Sequence, residues 1–573
     1  MRVTIFQVSR NHENMIRPAV RISSFLTRLF SFVLVLTTVL TGRPGLTAEE
    51  TTYRPAQRHA IALDGTWKLA TRDNTWRNVV VPIAITDRNR LILQKAFLLD
   101  GKDRGRKLLL SSPGLNYSGV IRINDQIITG LPGGAVPFST VIEPEYVNFG
   151  AENTVQVELD NRYDARTTLP LRHRPLGWSP ANGLVRPVTL TVLPDAGLEK
   201  VDVHTSWQPE KNSARLVAEV TVRQYHPLPD SLGENAEYTL EVSVITGTRR
   251  RDRLTVQEGP FPLASGARRM LDIPLTLPRP ALWSPENPAR YPVTVRLLHG
   301  EQVLDEKKLS AGVRSIALEE GYFVLNGRRY EIRGVDWISS LDGLGGQKLA
   351  DEITRVITKI KSLGANTVRV VGSPPHPQFV EKCSEKGLFV LAEIPVYYAT
   401  ERHFRQKEFT EKALGAISAM VRAARNQPAI LAWGLAIDAQ DTAPASRDWL
   451  EKAATRARSL DDRPVYLVTR SPDFSAISDI PDFFIRDVIA MPADAGLPAV
   501  LSGKPVLPLL GAFVNMSAIS REGNTRERRF FEAEELQADE LLRQLRALSS
   551  REQHAGYVLH ALQDWRGDQP FLA

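Results

Sequence analysis

From about residue 320 the chain alternates short, continuously apolar runs with longer amphipathic ones. The apolar runs include "TVRVVG", "LFVLAEIP", "AILAWGLAID", "PVYLVTR", "FFIRDVIAMP" and "KPVLPLLGAFV". Between them lie "ADEITRVITKIKSLG", which has helical spacing and Gly364 as its stop, "HPQFVEKCSEKG", "EFTEKALGAISAMVRAARN", "RDWLEKAATRARSLD" and "RRFFEAEELQADELLRQLRALSS". A strand that is apolar on both faces must be covered on both faces, which calls for a parallel sheet wrapped in helices. Eight such strands, from "YEIRGVDW" to "GYVLHALQDW", over about 250 residues predict a TIM (β/α)8 barrel across residues 317–573, without a clear eighth helix. The rival is a doubly wound open sheet. It requires a Gly-rich phosphate turn after the first strand, and in "GVDWISSLDGLGG" Gly343, Gly345 and Gly346 lie too far into the loop.

Upstream the rhythm is different. Residues 50–195 carry short alternating runs such as "GVIRINDQIITG" and "ENTVQVELDN" between turn signals, the pattern of a jelly-roll-like β-sandwich. Within it "INDQ" (123–126) reads as a hairpin turn. Residues 196–316 repeat the behaviour in "ARLVAEVTVRQY", "YTLEVSVITG" and "YPVTVRLLHG", and predict an immunoglobulin-like sandwich. The expected fold class is therefore multidomain, β plus α/β. A single cysteine, Cys383, allows no internal disulfide, so stability must come from the cores; the thiol itself reads as a small buried apolar group.

The net charge of +7 would point to nucleic acid if it were spread over a binding face. Residues 1–48 hold six Arg and one acid, Glu13, so they account for +5 and leave +2 for everything else. No basic stripe interleaved with aromatics occurs, so a nucleic-acid partner is set aside. In the same 48 residues Arg17, Arg21 and Arg28 precede the apolar run "LFSFVLVLTTVL" (29–40), then "TGRPGLTA". That run is short for a membrane span and reads as an export signal, so the protein is expected in the periplasm, outside the cell, or tethered to a membrane by this segment if uncleaved.

In a barrel, chemistry sits at the carboxyl ends of the strands. There the sequence offers Asp336 and Trp337 on strand 1, Arg369 with His376 beyond on strand 2, and Glu393 with Tyr397 and Tyr398 on strand 3. Strand 4 offers Asp438, strand 6 Asp487, and strand 8 His560, Asp564 and Trp565. Aromatic faces that pack on sugar CH groups, beside carboxylates that accept from hydroxyls, suit a carbohydrate ligand. The competing role for Arg369 and Glu393 is to pair and neutralise the mouth, and for the Trp residues to pack the rim. No H-x-x-x-H or Cys pairing points to a metal, no cofactor motif occurs, and no G-x-S-x-G elbow supports serine hydrolysis.

The ordered set "LDGTWKL", "NGLVRPVTL", "LWSPENPARYPV", "AGVRSIAL", "YFVLNGRRYEIRGVDW", "LGANTVRVVGSPPHPQFVEKCSEKGLFVLAEIP" and "NQPAILAWGLAID" resembles glycoside hydrolase family 2, the β-galactosidase, β-glucuronidase and β-mannosidase family. The resemblance implies a retaining O-glycosyl hydrolase with two glutamates. It puts the acid/base of the W-S-x-G-N-E motif at Asp438, after Trp433, Gly434, Ala436 and Ile437. It puts the nucleophile of strand 7 at Leu509, before Gly511 and Ala512, and the usual strand 8 Trp at His560. Retention needs two carboxyls about 5–5.5 Å apart, and leucine supplies none. The implied function is a glycosidase with an altered or lost retaining mechanism. The alternatives are a non-catalytic glycan-binding protein and an assembly subunit in polysaccharide export. The oligomeric state is left open.

Overall fold

The computed structural model describes residues 57–70, 75–85, 90–131, 133–160, 162, 169, 181–227, 235–247, 252–471, 474–487, 500–501, 503–511, 526–549, 554–560, 563–566 and 569–572. Residues 1–48 and the export signal read from them lie outside this set.

Two sandwiches precede a barrel. In the first, a six-stranded antiparallel sheet runs in the order 76–81, 65–70, 90–98, 152–160, 118–123, 126–131. It faces a four-stranded sheet ordered 59–62, 189–192, 108–112, 138–142. Inward residues of both, among them Trp67, Leu93, Leu110, Ile121, Val157 and Leu190, form one core. The hairpin at "INDQ" closes through Asn124 and Asp125 at φ 47° and 67°, the left-handed pair that a tight two-residue hairpin turn needs. The second sandwich packs a three-stranded sheet (196–208, 213–224, 268–278) on a four-stranded one (253–264, 235–245, 291–299, 302–311), around a separate core.

Eight parallel strands then close on themselves: β1 Ile332–Trp337, β2 Thr367–Val370, β3 Phe389–Glu393, β4 Ile430–Ile437, β5 Val465–Thr469, β6 Phe483–Asp487, β7 Lys504–Leu510 and β8 Gly556–Leu559. Closure comes from the β6–β7 pairing, with Asp487 opposite Leu509, and the β8–β1 pairing, with Leu559 opposite Val335. Helices α1 Gly346–Ser362, α2 Pro377–Lys386, α3 Lys407–Ala424, α4 Pro444–Arg458 and α5 Arg526–Ser549 follow β1, β2, β3, β4 and β7. After β8 the described chain makes a hairpin, Gln563–Arg566 with Gln569–Leu572. Cys383 is buried on α2, and burial pushes its thiol pKa well up. Among the described residues no helix is long and apolar enough to cross a membrane.

Loops of the first sandwich rest on the carboxyl-end rim of the barrel. The Arg186 guanidinium donates to Pro374 O at 2.7 Å, Gly343 N donates to Val185 O at 2.9 Å, and a methyl group at Gly134 would lie 2.5 Å from Pro395 Cγ. The immunoglobulin-like module docks at the opposite, amino end. There Arg425 grips Asp202 through two nitrogens, and the Asn426 amide donates to Val201 O at 3.0 Å and accepts from Val203 N at 2.9 Å, in the manner of an added strand.

Candidate active site at the carboxyl end of the barrel

Strand register fixes which side chains meet. Asp336 of β1 stands opposite Arg369 of β2, and His560 follows Leu559, the residue opposite Val335. The Arg369 Nη1 donates to both Asp336 oxygens at 3.1 and 3.0 Å, and its Nε donates to Glu393 Oε1 at 2.6 Å. All three side chains are essentially buried. His560 Nδ1 lies 2.9 Å from Asp336 Oδ2. Glu393 Oε2 accepts from Gly372 N at 2.8 Å, and Oε1 also accepts from the Tyr466 hydroxyl at 3.0 Å. The result is a continuous buried polar layer from β8 through β1, β2 and β3 to β5. Burial pushes the Glu393 pKa up, while Arg369 pulls it down. Opposing carboxylates hold the Arg369 pKa well above its ordinary value, although burial works the other way.

Gly434 makes that layer possible. Glu393, Gly434 and Tyr466 share one rung across β3, β4 and β5. A methyl group at 434 would lie 2.7 Å from Glu393 Cγ and 2.8 Å from Tyr466 Cζ, closer than carbon atoms approach. The family motif has serine at this position; here its space belongs to the Tyr466–Glu393 bond.

Above this layer β4 ends in Asp438. Its φ of 44° is left-handed, a conformation that a short polar residue tolerates better than most, and it turns the chain off the strand. Asp438 N donates to Val468 O at 2.9 Å. The carboxylate is 4% exposed, and Oδ2 lies 3.1 Å from Nε of the half-exposed Arg470, whose guanidinium in turn sits 5.3 Å from the Tyr398 ring centre. Arg470 is braced from both sides. Asp441 is fully buried and accepts from the Thr469 and Ser471 hydroxyls, each at 2.5 Å. Arg470 and Asp441 were not singled out from the sequence. Arg470 follows a strand end in "PVYLVTR", and that placement is the one signal that could have found it.

Other sequence candidates fall elsewhere. Strand alternation turns Trp337 away from the interior that Asp336 faces, and its ring packs 4.5 Å from that of Phe379 on α2. Trp433, next to inward Gly434, also faces outward; its indole N–H lies 3.4 Å from Asp461 Oδ1 near the amino end of the barrel. His376 caps α2, its Nδ1 accepting from Gln378 N at 3.2 Å. Burial pushes its pKa down to about 3, and the Arg186 charge adds to the effect. Tyr397 is buried beside Tyr117 of the first sandwich, and burial raises its hydroxyl pKa well above the ordinary value. The side chains of Asp487, Asp564 and Trp565 lie outside the described residues.

Leu509 occupies the inner face of β7. Its neighbour Leu510 points outward onto Leu541, Leu545 and Leu548 of α5, so alternation turns Leu509 inward, where it joins the barrel core. Gln544 of α5 holds the end of this strand, donating to Gly511 O at 3.1 Å and accepting from Gly511 N at 3.2 Å.

Two family profiles match the chain. Residues 196–314 match "Glycosyl hydrolases family 2", and residues 316–502 match "Glycosyl hydrolases family 2, TIM barrel domain". The chain belongs to glycosyl hydrolase family 2. Relatives in sequence include a β-galactosidase of Thermoanaerobacter pseudethanolicus, 26% identical over 60% of this chain and 44% of its own length. A putative β-glucuronidase of Formosa agariphila is 23% identical over 64% of this chain and 43% of its own. The chain thus spans less than half the length of these curated relatives. Among solved family 2 structures, a β-galacturonidase of Eisenbergiella tayi bound to galacturonate superposes with a TM-score of 0.72. It is 20% identical and covers 91% of this chain and 92% of that one. A putative β-galactosidase of Bacteroides fragilis gives 0.75 at 18% identity, over 89% and 80%. At these identities the superpositions speak for the fold.

Proposed function

We propose that this family 2 protein is an exported carbohydrate-active protein that cleaves an O-glycosidic bond at the carboxyl end of its barrel, by a route that does not pass through position 509. One observation carries the reading. A buried carboxylate, Asp438, ends β4 beside Arg470 and an apolar side chain, Leu509, faces inward on β7, the two positions where the resemblance would put the acid/base and the nucleophile. Double displacement needs one carboxyl to attack the anomeric carbon and a second to protonate the leaving oxygen, about 5–5.5 Å apart. Leu509 offers no lone pair for the attack. Asp438 is one methylene shorter than glutamate, and a displacement of about 1 Å costs roughly 100-fold in rate. The chemistry left is assistance at the leaving group by Asp438, with water or a carboxylate brought from elsewhere on the rim completing the displacement. The carbohydrate class is supported by the names of the relatives, which act on galactosides, glucuronides and galacturonides. Export is supported by the charge and apolar pattern of residues 1–48.

The test is a panel of aryl β-galactosides, β-glucuronides, β-galacturonides and β-mannosides, with saccharide binding measured in parallel by calorimetry. Slow turnover that disappears in Asp438→Ala is expected. Binding of saccharides without turnover of any glycoside would move the protein to the glycan-binding reading, and the absence of both would remove the carbohydrate assignment. Export is checked by fractionating cells that express the full chain.

A further inference from the structure

The molecule holds a second concave site, far from the barrel mouth. Where the immunoglobulin-like module docks on the amino end of the barrel, a polar cavity of about 300 Å³ opens between residues 203–207, the linker 311–316 and the turns that precede β4 and β5. Its charged walls are Arg314, Arg425, Arg463, Asp461 and Asp462.

Most of these charges are matched. Arg425 is gripped by Asp202 and also donates to Leu460 O at 3.1 Å. Asp461 Oδ1 accepts from Arg463 N at 2.9 Å, and its Oδ2 lies 3.4 Å from Arg463 Nη1. Asp462 is exposed to solvent. Arg314 is the exception. Its Nη2 donates to Ile430 O, and its guanidinium sits 5.7 and 5.5 Å from the rings of Trp283 and Phe389. Among the described residues no carboxylate pairs with it, and its buried Nη1 makes no hydrogen bond. Burial drives its pKa well down, and the neighbouring Arg463 charge pushes the same way, against the weaker pull of Asp461 and Asp462. A partly buried cation with a buried, unbonded donor is costly and calls for a counter-charge. To Arg314 the described residues supply a backbone carbonyl and ring faces but no paired carboxylate, on a cavity wide enough for an anion.

We propose that this seam is a binding site for a small oxyanion, held against Arg314 between the immunoglobulin-like module and the barrel. A planar guanidinium presents paired donors matched to phosphate, sulfate or carboxylate oxygens. Because residues of both modules line the cavity, an anion there ties them together and stabilises the folded protein in proportion to its occupancy.

Inorganic phosphate, sulfate and acetate are titrated separately into the full-length protein by calorimetry, with sodium chloride holding ionic strength constant. Saturable binding of one or more is expected, with an accompanying rise in Tm. Two variants locate it. Arg314→Gln should weaken binding at least about tenfold, the usual consequence of losing a charge-assisted hydrogen bond. Asp462→Asn changes an exposed residue on the cavity wall, and removing its negative charge should tighten binding by about two- to fivefold. Asp462→Asn decides the matter if Arg314→Gln does not fold. No saturable binding in the wild type and in Asp462→Asn overturns the proposal. So does binding that ignores Asp462→Asn, or that responds instead to Arg470→Gln at the barrel mouth.

Discussion

The Tyr466 hydroxyl crosses the barrel interior to Glu393 Oε1, 3.0 Å away, over the one position of β4 that has no side chain, Gly434. Strand 4 of this chain is shaped around a bond between its two neighbours. Gly434→Ser, which writes the family motif back in, should therefore destabilise the protein. Overpacking of this kind costs about 1–3 kcal/mol. Tyr466→Phe, which removes only the hydroxyl, should lose about 1.5–3 kcal/mol, as for a bond to a charged group. Combining the two should cost less than their sum, because the second change acts on a contact already broken. Urea unfolding of the single and double variants measures this, and strict additivity would disprove the coupling.

Arg369 is the sole described cation that binds both Asp336 and Glu393. Replacing it with methionine leaves two buried carboxylates without their partner. Breaking a buried ion pair from one side costs about 3–5 kcal/mol. Lysine keeps the charge but cannot span both acids in a fixed fork, so Arg369→Lys should recover only part of the loss. Equal stability of the lysine variant and the wild type in denaturant titrations would show that the fork geometry is unimportant.

The barrel was legible in the sequence because its strands are largely apolar on both faces, with few polar residues within them. The layer of Asp336, Arg369 and Glu393 was legible as a set because each acid or base lies at or near the carboxyl end of an apolar run. Its internal wiring was not. Whether Arg369 faces a ligand or its neighbours depends on a register of one rung between β1 and β2, which periodicity does not encode. Tyr466 lies within "PVYLVTR" and reads as one more apolar strand residue; its hydroxyl gains a role only once Gly434 opens the gap beside it. Trp337 and Trp433 were grouped with the site because they sit near strand ends or motif positions. Alternation from Asp336 and Gly434 sends both outward.

His376 gives the fold a pH dependence. Its folded pKa is about 3, whereas an unfolded histidine titrates near pH 6.5. Between these values the unfolded chain holds a proton that the folded protein refuses. Stability is then complete above about pH 6.5 and falls as the pH drops through that window, by roughly 3 kcal/mol at pH 4 from this group. His376→Asn keeps an acceptor suited to capping α2 and removes the titration. The difference in unfolding free energy between wild type and variant should vary with pH below about 6.5 and be flat above it. A pH-independent difference would mean that the folded protein protonates this imidazole after all.

Arg470 reaches Asp438 from a chain segment held by Asp441 on either side. Asp441 is thus a positioning residue, acting on Asp438 through Thr469, Ser471 and Arg470. Asp441→Asn keeps the shape but turns an acceptor into a donor towards one hydroxyl. If Asp438 assists the leaving group, this variant should lower kcat on aryl glycosides by about 10- to 100-fold with KM little changed, and the loss should be greatest for poor leaving groups, which need that assistance most. A merely structural role would lower activity on good and poor leaving groups alike.

The sharpest test of the reading is to restore what position 509 lacks. Leu509 already faces the barrel interior on β7, and Gln544 fixes the strand end just beyond it. Leu509→Glu places a carboxyl on the strand from which the family's nucleophile attacks. A buried carboxylate costs stability, so a lower Tm is expected alongside any gain. If the mouth keeps family geometry around Asp438, the variant should hydrolyse activated aryl β-glycosides at least about tenfold faster than the wild type, a change of about 1.4 kcal/mol in barrier height. Proton NMR should show the β-anomer as the first product, the sign of double displacement. The companion Asp438→Glu, Leu509→Glu restores both lengths and should be faster still on poor leaving groups. A folded Leu509→Glu protein that binds saccharide but shows no new turnover would mean that the rim has drifted too far from Asp438 for the two positions to act on one anomeric carbon.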